Sequence, residues 1–141
     1  MNRAARLIKG LGYRERITPS LIELHWLPVK ARIEYKLLLL AFKTLNYNEP
    51  KYLRNQLNNF RLGTNVSVRH ASDEHRLSEP RTNCKLGERA FKYIVPRLYN
   101  KLPIEMKNIQ EEWKFKKKLK TLLFSRSYDL EDLTINPDYA L

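Results

Sequence analysis

Residues 17–45, ITPSLIELHWLPVKARIEYKLLLLAFKTL, constrain the fold more than any other part of this chain. Thr18-Pro19 has the form of a helix start, a hydroxyl for the cap followed by a residue whose φ is already helical. A short helix is expected over Ser20–His25. It breaks at Trp26-Leu27-Pro28, because proline drives the residue before it away from the α region. Pro28 then opens a second helix that runs to Leu45, with Asn46 as its stop. Val29, Ile33, Leu37, Leu40, Ala41, Thr44 and Leu45 recur at spacings of three and four and define one buried stripe. Leu38 and Phe42 widen it, while Lys30, Arg32, Glu34, Lys36 and Lys43 lie mostly off it. A helix this apolar is enclosed by other elements, so it marks the centre of the core. It carries no obvious catalytic group.

The rest of the chain reads as further helices separated by breakers. Asn2–Leu11 is a short helix leaving through Gly10, Gly12 and Tyr13. Its start at residue 2 has the look of an element that begins further upstream. After the Asn46–Pro50 turn, Pro50 opens a third helix, PKYLRNQL. Residues 58–75 lose helical period and read as a mobile loop. A short β or extended pair is expected near residues 76–95, where Phe91, Tyr93, Ile94 and Val95 favour strand and a helix over Glu88–Val95 is the competing reading. Pro96 starts a short helix closed by Pro103, and 105–110 is a linker turn. EEWKFKKKLKTLLF is a helix with Trp113, Phe115, Leu119, Leu122 and Leu123 on its apolar stripe and Glu111 and Glu112 in its first turn. The fold class is therefore mainly α: one small helical domain over 1–126, followed by an acidic, frayed tail over 127–141.

Charge narrows the function. The chain of 141 residues carries a formal net charge of +12. Residues 1–63 carry 12 basic against 4 acidic residues and 109–126 carry 6 against 2, whereas Asp129, Glu131, Asp132 and Asp138 face no Lys or Arg in the last fifteen positions. A basic domain of this kind suggests a polyanionic partner, with nucleic acid foremost; an ordinary solvated lysine-rich surface is the plain alternative. Two clusters are candidate contacts: Lys114, Lys116, Lys117, Lys118 and Lys120 on the C-terminal helix, and Arg3, Arg6, Lys9, Arg14 and Arg16 near the N-terminus. His25-Trp26 has two readings, a base-and-phosphate contact or a core anchor at a helix corner, and the apolar neighbours Leu24, Leu27 and Val29 favour the anchor. His70, His75 and Cys84 make a poor metal set, with one cysteine and no fourth ligand, so neither a metal nor a cofactor is expected. A single cysteine excludes an internal disulfide. No secretory signal and no apolar run long enough for a membrane span is present, which points to a cytoplasmic or nuclear protein that is not secreted and has no membrane partner.

Three blocks occur in order: RITPSLIELHWLPVKARIEYKLLLLAFKTLNYNEPKYL over Arg16–Leu53, GERAFKYIVPRLYNKLP over Gly87–Pro103, and FKKKLKTLLF over Phe115–Phe124. Together they resemble the region C-terminal to the polymerase core in reverse transcriptases of non-LTR, LINE-type, jockey-like retrotransposons. Tyr99 stands where that family usually has Trp, and Val95 where it often has Ala. The resemblance covers nearly all of the chain from Asn2 to Phe124. It implies a thumb-adjacent helical region, incomplete at its N-terminus, that would grip RNA or an RNA–DNA hybrid beside an upstream polymerase domain. The family's paired palm aspartates, which hold two metal ions for phosphoryl transfer, have no counterpart here, since no Asp-Asp pair occurs. The expectation is a truncated retroelement fragment that is not an enzyme and binds nucleic acid backbones without sequence choice. A helical protein-interaction module, or an inert relic, is the alternative.

Overall fold

The computed structural model describes residues 2–57 and 76–129. The described residues form seven α-helices: α1 (Asn2–Lys9), α2 (Thr18–Glu23), α3 (Val29–Asn46), α4 (Lys51–Arg54), α5 (Phe91–Asn100), α6 (Ile104–Lys107) and α7 (Glu112–Ser127), with a 3-10 turn at Gly87–Arg89. The architecture is mainly helical, with no sheet among the described residues. The segment expected to be a mobile loop, 58–75, lies outside them, as does 130–141 of the expected tail. The chain divides into two compact units, 1–35 with 117–141 and 36–116, whose boundaries fall within α3 and within α7.

In the first unit, both helix exits are built the same way. At the end of α1, Gly10 takes φ +64°, the Leu11 N–H donates to the Arg6 carbonyl at 3.0 Å and the Gly10 N–H to that of Leu7 at 3.4 Å. At the end of α2, His25 takes φ +51°, with the Trp26 N–H donating to Leu21 and the His25 N–H to Ile22, both at 2.9 Å. Each is a left-handed cap whose paired bonds satisfy the last carbonyls of the helix. α2 thus ends at Glu23, close to the expected end at His25, and the left-handed cap at His25 closes it ahead of Trp26-Leu27-Pro28. Its start differs from expectation: Thr18 is already helical, and Ile17 caps the helix without a side-chain bond. His25 accepts the cost of a left-handed backbone without being glycine. Its ring stacks on Phe124, centroids 5.4 Å apart and 12° from parallel, and its Nδ1 lies 3.2 Å from the Glu23 carbonyl. The Tyr128 hydroxyl donates to the Trp26 carbonyl at 2.6 Å, and Phe124 meets the Tyr128 ring edge-on. Ser127 and Tyr128, assigned by sequence to the tail, therefore belong with the end of α7.

α3 is the long helix the sequence promised, with its inward face rotated. Ala31, Leu38, Ala41, Phe42 and Thr44 are buried, whereas Val29 and Ile33 are more than half exposed. Thr44 meets the requirement of a buried hydroxyl by donating to the Leu40 carbonyl at 2.8 Å. In the second unit, Ala41, Leu57 and Val95 form a core cluster flanked by Leu37, Leu45, Phe91 and Ile94. Phe42 stacks on Phe115 with centroids 4.3 Å apart.

The extended pair expected near 76–95 does not form among the described residues. Phe91–Asn100 is a single helix, because coiling places Val95 and Tyr99 four apart on one buried row, and that packing outweighs the strand preference of Tyr93, Ile94 and Val95. Pro96 lies inside this helix rather than at its start, at the loss of one backbone donor. Residues 105–110, expected to be a linker turn, include most of α6. Leu77 remains extended, and a side chain pairs with its backbone. Asn100 accepts from the Leu77 N–H and donates to the Leu77 carbonyl, both at 2.9 Å, and also donates to Glu79 at 2.7 Å. One amide thus copies the two bonds of a strand neighbour.

Candidate functional site

The two basic clusters singled out by sequence are not equivalent in their chemistry. Around α1, two of the five cations hold structure. The Arg6 guanidinium donates to the carbonyls of Gly12 and Glu15, the latter at 2.8 Å, and the Glu15 carboxylate turns back to accept from the Gly12 N–H at 3.2 Å. Lys9 pairs with Glu23, tying α1 to α2. Arg3, Arg14 and Arg16 are exposed. The apolar residues of this helix are only partly covered: Ala5 is buried, yet Leu7 is 85% exposed and Ile8 and Ala4 face solvent as well.

α7 divides its lysines more sharply. Glu111 and Glu112 stand at its start, where the helix dipole favours carboxylates. Lys114 reaches Glu111 at 2.7 Å, and Lys116 reaches Glu112 at 2.5 Å. Lys43, from α3, meets the same Glu112 at 3.1 Å. Hydrogen bonds from Lys116 and then Lys43 hold the Glu112 carboxyl below the usual glutamate range. All three pairs are at least partly exposed to solvent, so they set geometry more than stability. Past that turn the pattern changes. Lys117, Lys118 and Lys120 are exposed and, among the described residues, none pairs with a carboxylate. Phe115, Leu119 and Leu123 anchor the helix from its buried side. The result is a fixed rail with an open run of positive charge, the kind of surface that attracts phosphates without reading sequence.

The remaining chemistry is modest. Trp113, expected on the buried stripe, is 62% exposed, and the Lys114 ammonium lies 5.3 Å from its ring centroid. A cleft of about 420 Å³ lies between residues 79–83, Glu88 and Arg97. Its two arginines and two glutamates balance in charge. Cys84 is an exposed free thiol whose pKa is lowered by the backbone N–H groups of Gly87 and Leu86. His70 and His75 lie outside the described residues. Among the described residues, no helix is long and apolar enough to cross a membrane. Compared with protein-family models, with curated proteins and with solved structures, the chain finds no significant match.

Proposed function

We propose that this chain is the thumb-adjacent, C-terminal portion of a non-LTR retrotransposon reverse transcriptase, lacking the catalytic palm, and that it binds RNA or an RNA–DNA hybrid through the phosphate backbone. The observation that carries the binding half is the run of Lys117, Lys118 and Lys120, exposed and free of carboxylate partners among the described residues, on a helix held from behind by Phe115, Leu119 and Leu123. The lineage half is carried by the ordered sequence blocks and is compatible with a mainly helical fold. On this reading the chain is not an enzyme by itself, and its affinity is weak, indifferent to sequence and steeply dependent on salt. An anisotropy titration with labelled duplex RNA and RNA–DNA hybrid at low and physiological salt tests it. Binding to both that weakens with salt is expected; no binding at low salt by a folded sample overturns it. Extension of a primer–template in the presence of nucleotides and Mg²⁺ would overturn the non-enzymatic reading.

One observation favours the second reading, a helical protein-interaction module. α1 turns Leu7 and Ile8 outward, a face suited to packing on another protein surface. Light scattering discriminates: self-association through this face raises the apparent mass, and Leu7→Ser with Ile8→Ser restores the monomer. A monomer at all concentrations, before any substitution, counts against this reading.

A further inference from the structure

Trp113 is the largest apolar side chain that α7 leaves in solvent. Its exposure follows from the helix itself: the buried row runs through Phe115, Leu119 and Leu123, and two residues correspond to about 200° of turn. The ring is nevertheless not loose. The Lys114 ammonium sits over it at 5.3 Å, and the same ammonium is held by Glu111 at 2.7 Å. Glu111, Lys114 and Trp113 form a chain of contacts that steadies the indole on one side by a cation–π interaction and leaves ring surface available to a flat ligand. Along the same helix, Lys117 is four residues on and Lys120 seven, so both share the side that carries Trp113. They stand about 6 and about 10 Å further along the axis.

An aromatic plane beside evenly placed, exposed cations matches the chemistry of an unstacked base beside its own phosphates. A duplex keeps its bases stacked inside and has no free face to offer. We propose that Trp113 is a base-stacking platform for single-stranded RNA or DNA, with Lys117 and Lys120 on the flanking phosphates. This rests on the nucleic-acid reading above and deepens it: the helix favours a frayed or single-stranded end over a continuous duplex.

The test uses the full chain, a labelled oligothymidylate and a duplex of equal length, both at low salt. Trp113→Ala is expected to weaken single-strand binding by on the order of tenfold and to leave duplex affinity unchanged. Trp113→Phe keeps most of the single-strand affinity, because a smaller ring still stacks. In Trp26→Phe, Trp113 is the only tryptophan left, and its emission should be quenched by the oligothymidylate. Single-strand binding that survives Trp113→Ala unchanged, or an equal loss on both ligands, overturns the platform while leaving the backbone reading intact. Failure of the unaltered chain to bind either ligand at low salt overturns the backbone reading itself.

Discussion

α1 and α7 are both short-spaced mixtures of cations and apolar residues, and they are stabilised in opposite ways. α7 buries Phe115, Leu119 and Leu123 fully and commits few of its lysines to structure. α1 buries only Ala5, exposes Leu7 and Ile8, and is fastened by its cations, Arg6 to the Gly12 and Glu15 carbonyls and Lys9 to Glu23. A basic residue on α7 can therefore be replaced with little structural consequence, whereas some of those on α1 cannot. Composition treats the two clusters alike; what each cation touches separates a binding surface from a set of clamps.

The largest effect that would break this contrast is at the anchor of α7. Phe115→Ala removes a fully buried ring that stacks on Phe42, and should cost about 3–5 kcal/mol in urea unfolding. A loss under about 1 kcal/mol would mean that α7 is not held by packing. Next, Arg6→Ala should cost about 1 kcal/mol and should release α1 first, read as faster amide exchange over residues 2–15 with slow exchange retained in α3. Equal acceleration in both helices would contradict the clamp.

Acid gives a smaller effect. The Glu112 pKa is lowered in the folded state by Lys116 and Lys43, so its contribution is present above the pKa it has in the unfolded chain and is lost as pH falls through the folded value. Melting temperature should fall in acid, below the usual glutamate range, and Glu112→Gln should flatten that fall. An identical acid profile in the variant would show that the Lys43–Glu112–Lys116 arrangement carries no linkage. Smallest of all, Leu7→Ser should change stability by no more than about 0.5 kcal/mol, because Leu7 is already in solvent. A larger loss would show that the face is covered in solution.

These contrasts also mark what the sequence could and could not disclose. The α7 row was legible because Phe115, Leu119 and Leu123 recur every four residues among lysines. Trp113 was misplaced on that row because its apolarity was counted without its angle around the helix. In α3 the chain carries apolar residues on more than one side, so periodicity alone accepts Val29 and Ile33, which are more than half exposed, and passes over Ala31, which is buried. At Phe91–Asn100, β-favouring side chains pulled the local reading toward strand, and the packing of Val95 and Tyr99 decided otherwise. Contacts remote in sequence were out of reach: Lys43 with Glu112, and the Asn100 amide on Leu77. Gly10 announced the exit of α1. His25 gave no comparable signal for the exit of α2, since a left-handed histidine looks like any other in sequence. Among the ten candidate cations, the partners of Arg6 and Lys9 were out of reach of the sequence, whereas Lys114 and Lys116 follow Glu111 and Glu112 at spacings of three and four that already set them apart from Lys117, Lys118 and Lys120.

That last division is the central claim, and salt dependence tests it most directly. The slope of log affinity for an RNA–DNA hybrid against log salt should be measured for the unaltered chain, for Lys117→Gln with Lys118→Gln and Lys120→Gln, and for Lys114→Gln with Lys116→Gln. Removing one lysine that touches a phosphate should reduce the slope by roughly 1. Replacing the open lysines should reduce the slope by about 2–3, and replacing the paired ones should reduce it almost not at all. Equal reductions in the two variants, or a larger one for Lys114 and Lys116, would contradict that claim.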